Sequence, residues 1–262
     1  MPVRYAANLT MLYTEVPFLD RFASAAADGF RAVEFLFPYE AGVTEIQARV
    51  EALRLTVALF NVPPGDLEHG EWGTLGIPAR RDHFRHAFAT ALDAAARLGC
   101  RRVHTLFGNR LTGVDPAAQV ACAVENLAWA APQAAHAGVT LLLEWLNPVD
   151  FPGFFLHTTA AAMSVIRQVD HPAVKLQYDV YHAQVTEGNL IGTIETHFPY
   201  LGHVQIADVP GRHEPGTGEI NYPAVLGALG RLGYEGYVGL EYQPSRDTTS
   251  SFAWLPRELR GA

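Results

Sequence analysis

Eight times along this chain a short run of β-forming residues gives way to a longer stretch with helical spacing. No other feature limits its fold as strongly. The β-like runs are YAANL (5–9), AVEFLF (32–37), TVALFN (56–61), RVHTLF (102–107), VTLLLEWL (139–146), VKLQYDVYH (174–182), HVQIAD (203–208) and YVGLEY (237–242). Each is followed by a helical pattern, the last being SSFAWLPREL. Strands that alternate with helices read as βα units around a parallel sheet. Eight such units with no linker or break in composition predict one (β/α)8 TIM barrel over residues 1–262. A doubly wound open sheet is the other arrangement of such units, but no G-x-G-x-x-G follows the first strand. The local punctuation agrees. Gly29, Gly99, Gly138 and Gly233 sit where helices should end, and Asp115–Pro116 suits an N-cap and first helical position.

In a barrel of this kind the chemistry lies at the C-terminal ends of the strands. The polar residues there are Asn8, Glu34, Asn61, His104, Glu144, Asp179, Gln205 and Glu241. Glu144 is the most pointed case, because it leaves the apolar run LLL directly. A lone carboxylate in an apolar interior is costly, so it must reach solvent, pair with a cation or bind a metal. Strands five to eight each deliver one oxygen-bearing side chain: Glu144, Asp179, Gln205 and Glu241. Side chains alternate along a strand, so an inward Gln205 implies an inward His203, and an inward Glu241 implies an inward Gly239 that leaves room in the mouth. Three carboxylates converging on one mouth would repel one another, and a divalent cation removes the conflict. Oxygen donors favour Mg²⁺ or Mn²⁺.

Two further residues join this group. His182 lies three after Asp179, on what reads as the loop leaving strand six, and is placed to hydrogen-bond a substrate oxygen. Arg212 lies in DVPGRHEPGTGE after strand seven, where it can grip a carboxylate; PGTGE reads as a turn that holds it. Asn61 and His104 are the remaining candidate substrate contacts. The loop NVPPGDLEHGEWG (61–73) reads either as a lid over the mouth or as a rigid connection. His69, His83, His86 and His136 have no partner pattern and read as surface residues.

The net charge of −8 argues against a nucleic-acid partner, which would want clustered lysine and arginine. It leaves room for a small anionic substrate held by a local arginine. Cys100 and Cys122 show no metal or redox spacing, and Cys122 falls in an alanine-rich helical pattern as a buried residue. No secretory leader pattern and no membrane-length apolar run is visible, so the expected setting is the cytoplasm with no membrane partner. Homo-oligomerisation is left open.

At these residues the chain resembles the hydroxypyruvate isomerase family of the xylose isomerase-like barrel superfamily. The resemblance runs nearly end to end, through AANLTMLYTEVPFLDRF, GFRAVEFLFPYE, LFNVPPGDLEHGEWG, LLLEWLNPVDFPGFFL, LQYDVYHAQ, HVQIADVPGRHEPGTGEINY and GYVGLEYQP. It implies a metal held by Glu144, Asp179, Gln205 and Glu241, with Glu144 and Glu241 doubling as acid and base. Related ketose 3-epimerases carry histidine where this chain has Gln205. The family usually has proline where this chain has Trp145, so the ring is expected to help shape the substrate pocket. The implied reaction converts hydroxypyruvate to tartronate semialdehyde through a metal-stabilised enediolate. Hydride transfer between the two carbons is the mechanistic rival. The close relatives acting on four-carbon acids, the 2-oxo-tetronate isomerases, share the motifs, and a ketose 3-epimerase would use the same pair of carboxylates.

Overall fold

The computed structural model describes residues 3–261. Eight parallel strands close in sequence order into a barrel. They are β1 (Arg4–Asn8), β2 (Ala32–Glu34), β3 (Thr56–Asn61), β4 (Arg102–His104), β5 (Thr140–Leu143), β6 (Val174–Asp179), β7 (Leu201–Ile206) and β8 (Tyr237–Leu240). The helices around them are α1 (Phe18–Ala27), α2 (Val43–Leu53), α3 (Arg81–Leu98), α4 (Pro116–His136), α5 (Thr159–Val169), α6 (Val180–Thr186), α7 (Leu190–His197) and α8 (Tyr222–Leu232). The expected barrel is therefore the observed fold. The β6–β7 connection carries two helices, α6 and α7.

The helix expected after β8 does not form. SSFAWLPREL makes two short 3₁₀ turns, Ser250–Trp254 and Arg257–Leu259, on either side of Pro256. Proline lacks an N–H and pushes its predecessor, Leu255, out of the helical region; Leu255 is extended at φ −116°, ψ 101°. The segment still packs, with Trp254 edge-on to Tyr5 and Phe252 against Phe30. The punctuation behaves as read: all four helix-end glycines have positive φ. The Asp115 carboxylate accepts from the Ala117 N–H at 2.9 Å, capping α4.

Alternation decides what faces where. On β5, Leu141 and Leu143 join the apolar layer between strands and helices, whereas Leu142 points inward. Glu144, one residue past the strand, shares Leu142's parity and enters the barrel. Trp145 has the opposite parity. It is fully buried on the helix side, edge-on to Tyr178 at 5.4 Å, and is not part of the cavity wall. The expectation that Trp145 shapes the substrate pocket is therefore corrected. On β3 an irregularity resets the pattern: Val33 faces Val57, but Glu34 faces Leu59. The extra residue turns Phe60 outward onto Phe35 and frees Asn61 to line the mouth.

Inside, the N-terminal end of the barrel is plugged by small residues, Ala6, Ala32 and Ala58. Above them lies a fully buried polar layer of Asn8, Glu34, Gln177, His203 and Gln205. Glu34 is its hub. Its carboxylate accepts from Asn8 Nδ2 at 3.0 Å, His203 Nε2 at 2.8 Å and Gln205 Nε2 at 2.8 Å. Such a group is tolerated only because its lone pairs are met.

Candidate metal and acid–base centre

Directly above that layer a cavity of about 670 Å³ opens at the C-terminal mouth. Glu144, Glu241, His182, Arg212, His104 and Asn61 all line it. Asp179 and Gln205 are buried just beneath. The structure thus gathers every candidate into one region, by different routes. Asp179 ends β6 and caps α6, its Oδ1 accepting from Tyr181 N at 2.8 Å. His182 is on α6 rather than on a loop, because that cap starts a helix at once. Gln205 is tied to both sides: its Oε1 accepts from Gln177 Nε2 at 2.6 Å while its Nε2 serves Glu34. Gln177 also donates to Glu144 Oε2 at 3.0 Å. Glu241 accepts from Asn8 Nδ2 at 3.3 Å.

Arg212 reaches into this cluster from the β7–α8 loop. Its Nη2 lies 2.7 Å from Glu241 Oε2 and 3.4 Å from Asp179 Oδ2, and its guanidinium stacks over Tyr181 at 4.9 Å. The loop is organised by Asp208, whose carboxylate accepts from the N–H groups of Val209, Gly216, Gly218 and Ile220. PGTGE is accordingly a turn. The backbone of Gln243 then donates to Arg212 O at 2.8 Å, tying the loop to the one after β8.

The electrostatics follow from burial. Glu144, Asp179 and Glu241 are almost completely removed from solvent. Desolvation raises all three carboxyl pKa values. For Glu144 the neighbouring Asp179 and Glu241 charges add to it, and for Glu241 the opposing pull of Arg212 comes next. Burial lowers the guanidinium pKa of Arg212, but Glu241, Asp179 and Glu144 more than reverse this and hold it charged. Burial pushes His104 down to about 3 and His182 well below the usual imidazole range, so both rings are neutral.

Once ionised, three carboxylates against one arginine would leave two negative charges without a partner. A divalent cation would balance them. Glu144 Oε1 is buried and accepts from nothing, as a metal-ligating oxygen would before its ion arrives. Donor atoms of Glu144, Asp179 and His182 lie within 4.8 Å of one another. The residues therefore fit a hard divalent ion on charge, on donor type and on an unsatisfied oxygen. Arg212 Nε and Asn61 Oδ1 are likewise buried and unpaired, on residues of the same cavity wall.

Some of the site escaped the sequence reading. Gln177 shares Asp179's strand and parity, a signal that was present. Asn147, Asp150 and Tyr181, which support His182 and Arg212, lie on a loop and a helix start where no periodicity marks them. The 61–73 loop sends Trp72 to the cavity wall, edge-on to Phe151 at 5.1 Å. Beyond it the chain is pinned where Gly76 N donates to Phe107 O at 2.8 Å. His69, His83, His86 and His136 are exposed. Both cysteines are buried and free. Among the described residues no helix is long and apolar enough to cross a membrane.

Comparison with known proteins adds the following. A family model described as xylose isomerase-like TIM barrel matches residues 22–258. A 2-oxo-tetronate isomerase of Cupriavidus necator is 46% identical over 96% of this chain and 97% of its own length. The hydroxypyruvate isomerase of Escherichia coli is 40% identical over 97% of this chain and 98% of its own. A crystal structure of an AP endonuclease, family 2, from Brucella melitensis superposes with a TM-score of 0.94 at 43% identity, covering 97% of this chain and 98% of that one. A D-psicose 3-epimerase from Clostridium cellulolyticum, bound to D-tagatose, shares the fold with a TM-score of 0.81 at 20% identity, covering 99% of this chain and 100% of that one.

Proposed function

This chain belongs to the xylose isomerase-like TIM barrel family and is an isomerase, and we propose that it moves the carbonyl of a short 3-hydroxy-2-oxo acid from C2 to C3. Hydroxypyruvate, which would give tartronate semialdehyde, is the smallest such acid. A four-carbon 2-oxo-tetronate adds one hydroxymethyl group on C3, and the cavity of about 670 Å³ has room for it. The observation that carries this reading is the combination at one mouth of three buried carboxylates and an arginine with an unused, buried Nε.

Glu144, Asp179, Gln205 and Glu241 would hold a divalent ion, Mg²⁺ or Mn²⁺ by their oxygen donors. When bound, that ion supplies positive charge beside the substrate oxygens, which acidifies the C3–H. The chain's own residues do the rest. Arg212 keeps Nη2 on Glu241 and Asp179 and offers Nε to the substrate carboxylate. His182 and Asn61 contact the hydroxyl and carbonyl oxygens, and neutral His104 borders Glu144 at 3.7 Å. One glutamate of the pair Glu144 and Glu241 takes the C3 proton, giving an enediolate. A proton is then returned to C2 by the other glutamate or the same one, while the O3 hydroxyl proton passes to O2, which leaves the carbonyl at C3. A carboxyl with a raised pKa suits both halves of that exchange. The same residues would serve a ketose 3-epimerase, but a neutral sugar gives Arg212 no carboxylate to hold.

The test is direct. The protein is stripped with EDTA, reloaded with Mn²⁺ or Mg²⁺, and given hydroxypyruvate and a 2-oxo-tetronate side by side. Metal-dependent isomerisation of either supports the proposal, and the ratio of their kcat/KM values names the substrate. Turnover of neutral ketoses alone would refute it. In D₂O, deuterium in the product marks the enediolate route, and its complete absence counts against that route.

A further inference from the structure

His182 raises a question that the grouping of donors alone leaves open. It stands with Glu144 and Asp179 as a third candidate ligand, and it also faces the substrate cavity. The two roles need opposite things of Nε2. A ligand must offer a lone pair there, whereas a donor to a substrate oxygen must carry the proton.

The loop after β5 decides between them. Asn147 is fully buried, and its Oδ1 accepts from the backbone N–H of Val149 at 3.0 Å and of Asp150 at 2.9 Å. Backbone N–H groups only donate, so this atom is the oxygen and the amide orientation is fixed. The Asn147 NH₂ therefore points the other way, to Asp150 Oδ2 at 3.0 Å and to His182 Nδ1 at 2.8 Å. The Asn147 backbone N–H also points at Nδ1, at 3.3 Å. Nδ1 thus meets two donors and must be an acceptor. In a neutral imidazole the proton then sits on Nε2, the nitrogen facing the cavity and 3.6 Å from Asp179 Oδ2. Asp150 also accepts from Tyr181 Oη at 2.8 Å, so the same carboxylate steadies Asn147 and the ring on which Arg212 stacks.

We propose that Asn147 is a positioning residue that locks His182 as the Nε2–H tautomer, which makes His182 a hydrogen-bond donor to a substrate oxygen and removes it from the metal's ligand set. This rests on the proposed metal-dependent isomerase reading for the identity of the acceptor. The tautomer itself does not depend on that reading.

The first measurement is made on metal-free protein labelled with ¹⁵N-histidine. Long-range ¹H–¹⁵N correlation, with His182 assigned by its absence in His182→Gln, should show the proton on Nε2. A proton on Nδ1 overturns the proposal. Asn147→Asp replaces the donor with an acceptor while keeping the oxygen that the two N–H groups need. It should move the proton to Nδ1 and lower kcat by about 10²-fold, the scale for one misplaced donor at a reacting oxygen. Retained Nε2–H with full kcat in that variant also overturns it. Mn²⁺ alone is the second probe. Loss of an outer-sphere support costs about 10–100-fold in metal affinity, so His182→Gln should weaken Mn²⁺ binding by no more than about 100-fold, and a larger loss makes His182 a ligand. Asp179→Asn is the control, which must weaken Mn²⁺ binding strongly. If it does not, the metal reading fails and the tautomer measurement still stands.

Discussion

Replacing Gly239 by alanine should damage this barrel from within. Gly239 sits on β8 two residues before Glu241 and points inward, at the level of the Glu34 hub. A methyl group added there would overlap both Glu34 carboxylate oxygens and their carbon. Glu34 has nowhere to retreat, because Asn8, His203 and Gln205 hold it from three sides. Forcing a methyl into a packed interior costs about 1–3 kcal/mol. Pulling the carboxylate off even one donor costs about 1.5–3 kcal/mol more, as a buried charge-assisted hydrogen bond. The expected loss is therefore at least ~2.5 kcal/mol. For a chain of this size roughly 2–4 °C of Tm accompanies each kcal/mol, which gives a fall of at least about 5–10 °C. Thermal unfolding followed by circular dichroism at one fixed scan rate reads this. Adding Glu34→Asp withdraws the carboxylate by one methylene, so the double variant should recover at least ~1 kcal/mol relative to additivity. A loss for Gly239→Ala below about 1 kcal/mol, the range of an unremarkable substitution, would mean that the polar layer does not constrain the barrel as described.

Other consequences can be checked alongside. Glu144→Gln and Glu241→Gln should each lower kcat by at least about 10²-fold with the far-ultraviolet dichroism unchanged, because each removes both a proton carrier and a ligand oxygen. Retention of more than a tenth of the activity in either would exclude that glutamate from the chemistry. The stabilisation given by Mn²⁺ should grow with pH. In the metal-free protein Glu144, Asp179 and Glu241 keep their protons above the ordinary carboxyl range, Glu241 up to about 8. The native state then binds more protons than the unfolded chain between about pH 4 and pH 8, so these groups lower its stability as pH rises through that window. The metal expels those protons, and the rise in Tm on adding Mn²⁺ should be larger at about pH 8 than at about pH 5. A gain that does not vary with pH would refute this. Asp208→Ala should strand four backbone donors and loosen Arg212, lowering kcat/KM for the 2-oxo acid by at least about 10-fold. Unchanged kcat/KM would show that the loop does not depend on that carboxylate.

Much of this was legible in the sequence because strands advertise their ends. Glu144, Asp179 and Glu241 could be placed since each stands at the C-terminal end of a recognisable β run. The misplaced features have local physical causes. Trp145 was read towards the pocket although its neighbour Glu144 already occupied that face. The helix after β8 was expected from its apolar spacing, and Pro256 stops it. Asn61 was placed at the mouth by its position at a strand end, although the irregularity between β2 and β3 that turns it there is not legible in a period of two. His182 was put on a loop because an N-cap as brief as Asp179 leaves no room for a visible helix start. Asn147 and Asp150 act through hydrogen bonds within a loop, where side-chain type alone carries no direction. The unpaired Nε of Arg212 is visible only once the guanidinium is seen to rest on Glu241.

The Asp208 cradle bears on how such a barrel changes its diet. One carboxylate gathers the four N–H groups at the two feet of the β7–α8 loop, and the span between them presents Arg212. The crest of the loop is fastened separately, by Asp208 N donating to His213 O at 2.7 Å and by Gln243 N donating to Arg212 O at 2.8 Å. The side chain at position 212 can therefore be exchanged while these backbone bonds and the Asp208 cradle stay intact. Selection for a new acid, or for an uncharged sugar, has in this crest a place to experiment without reopening the polar layer on which the fold depends.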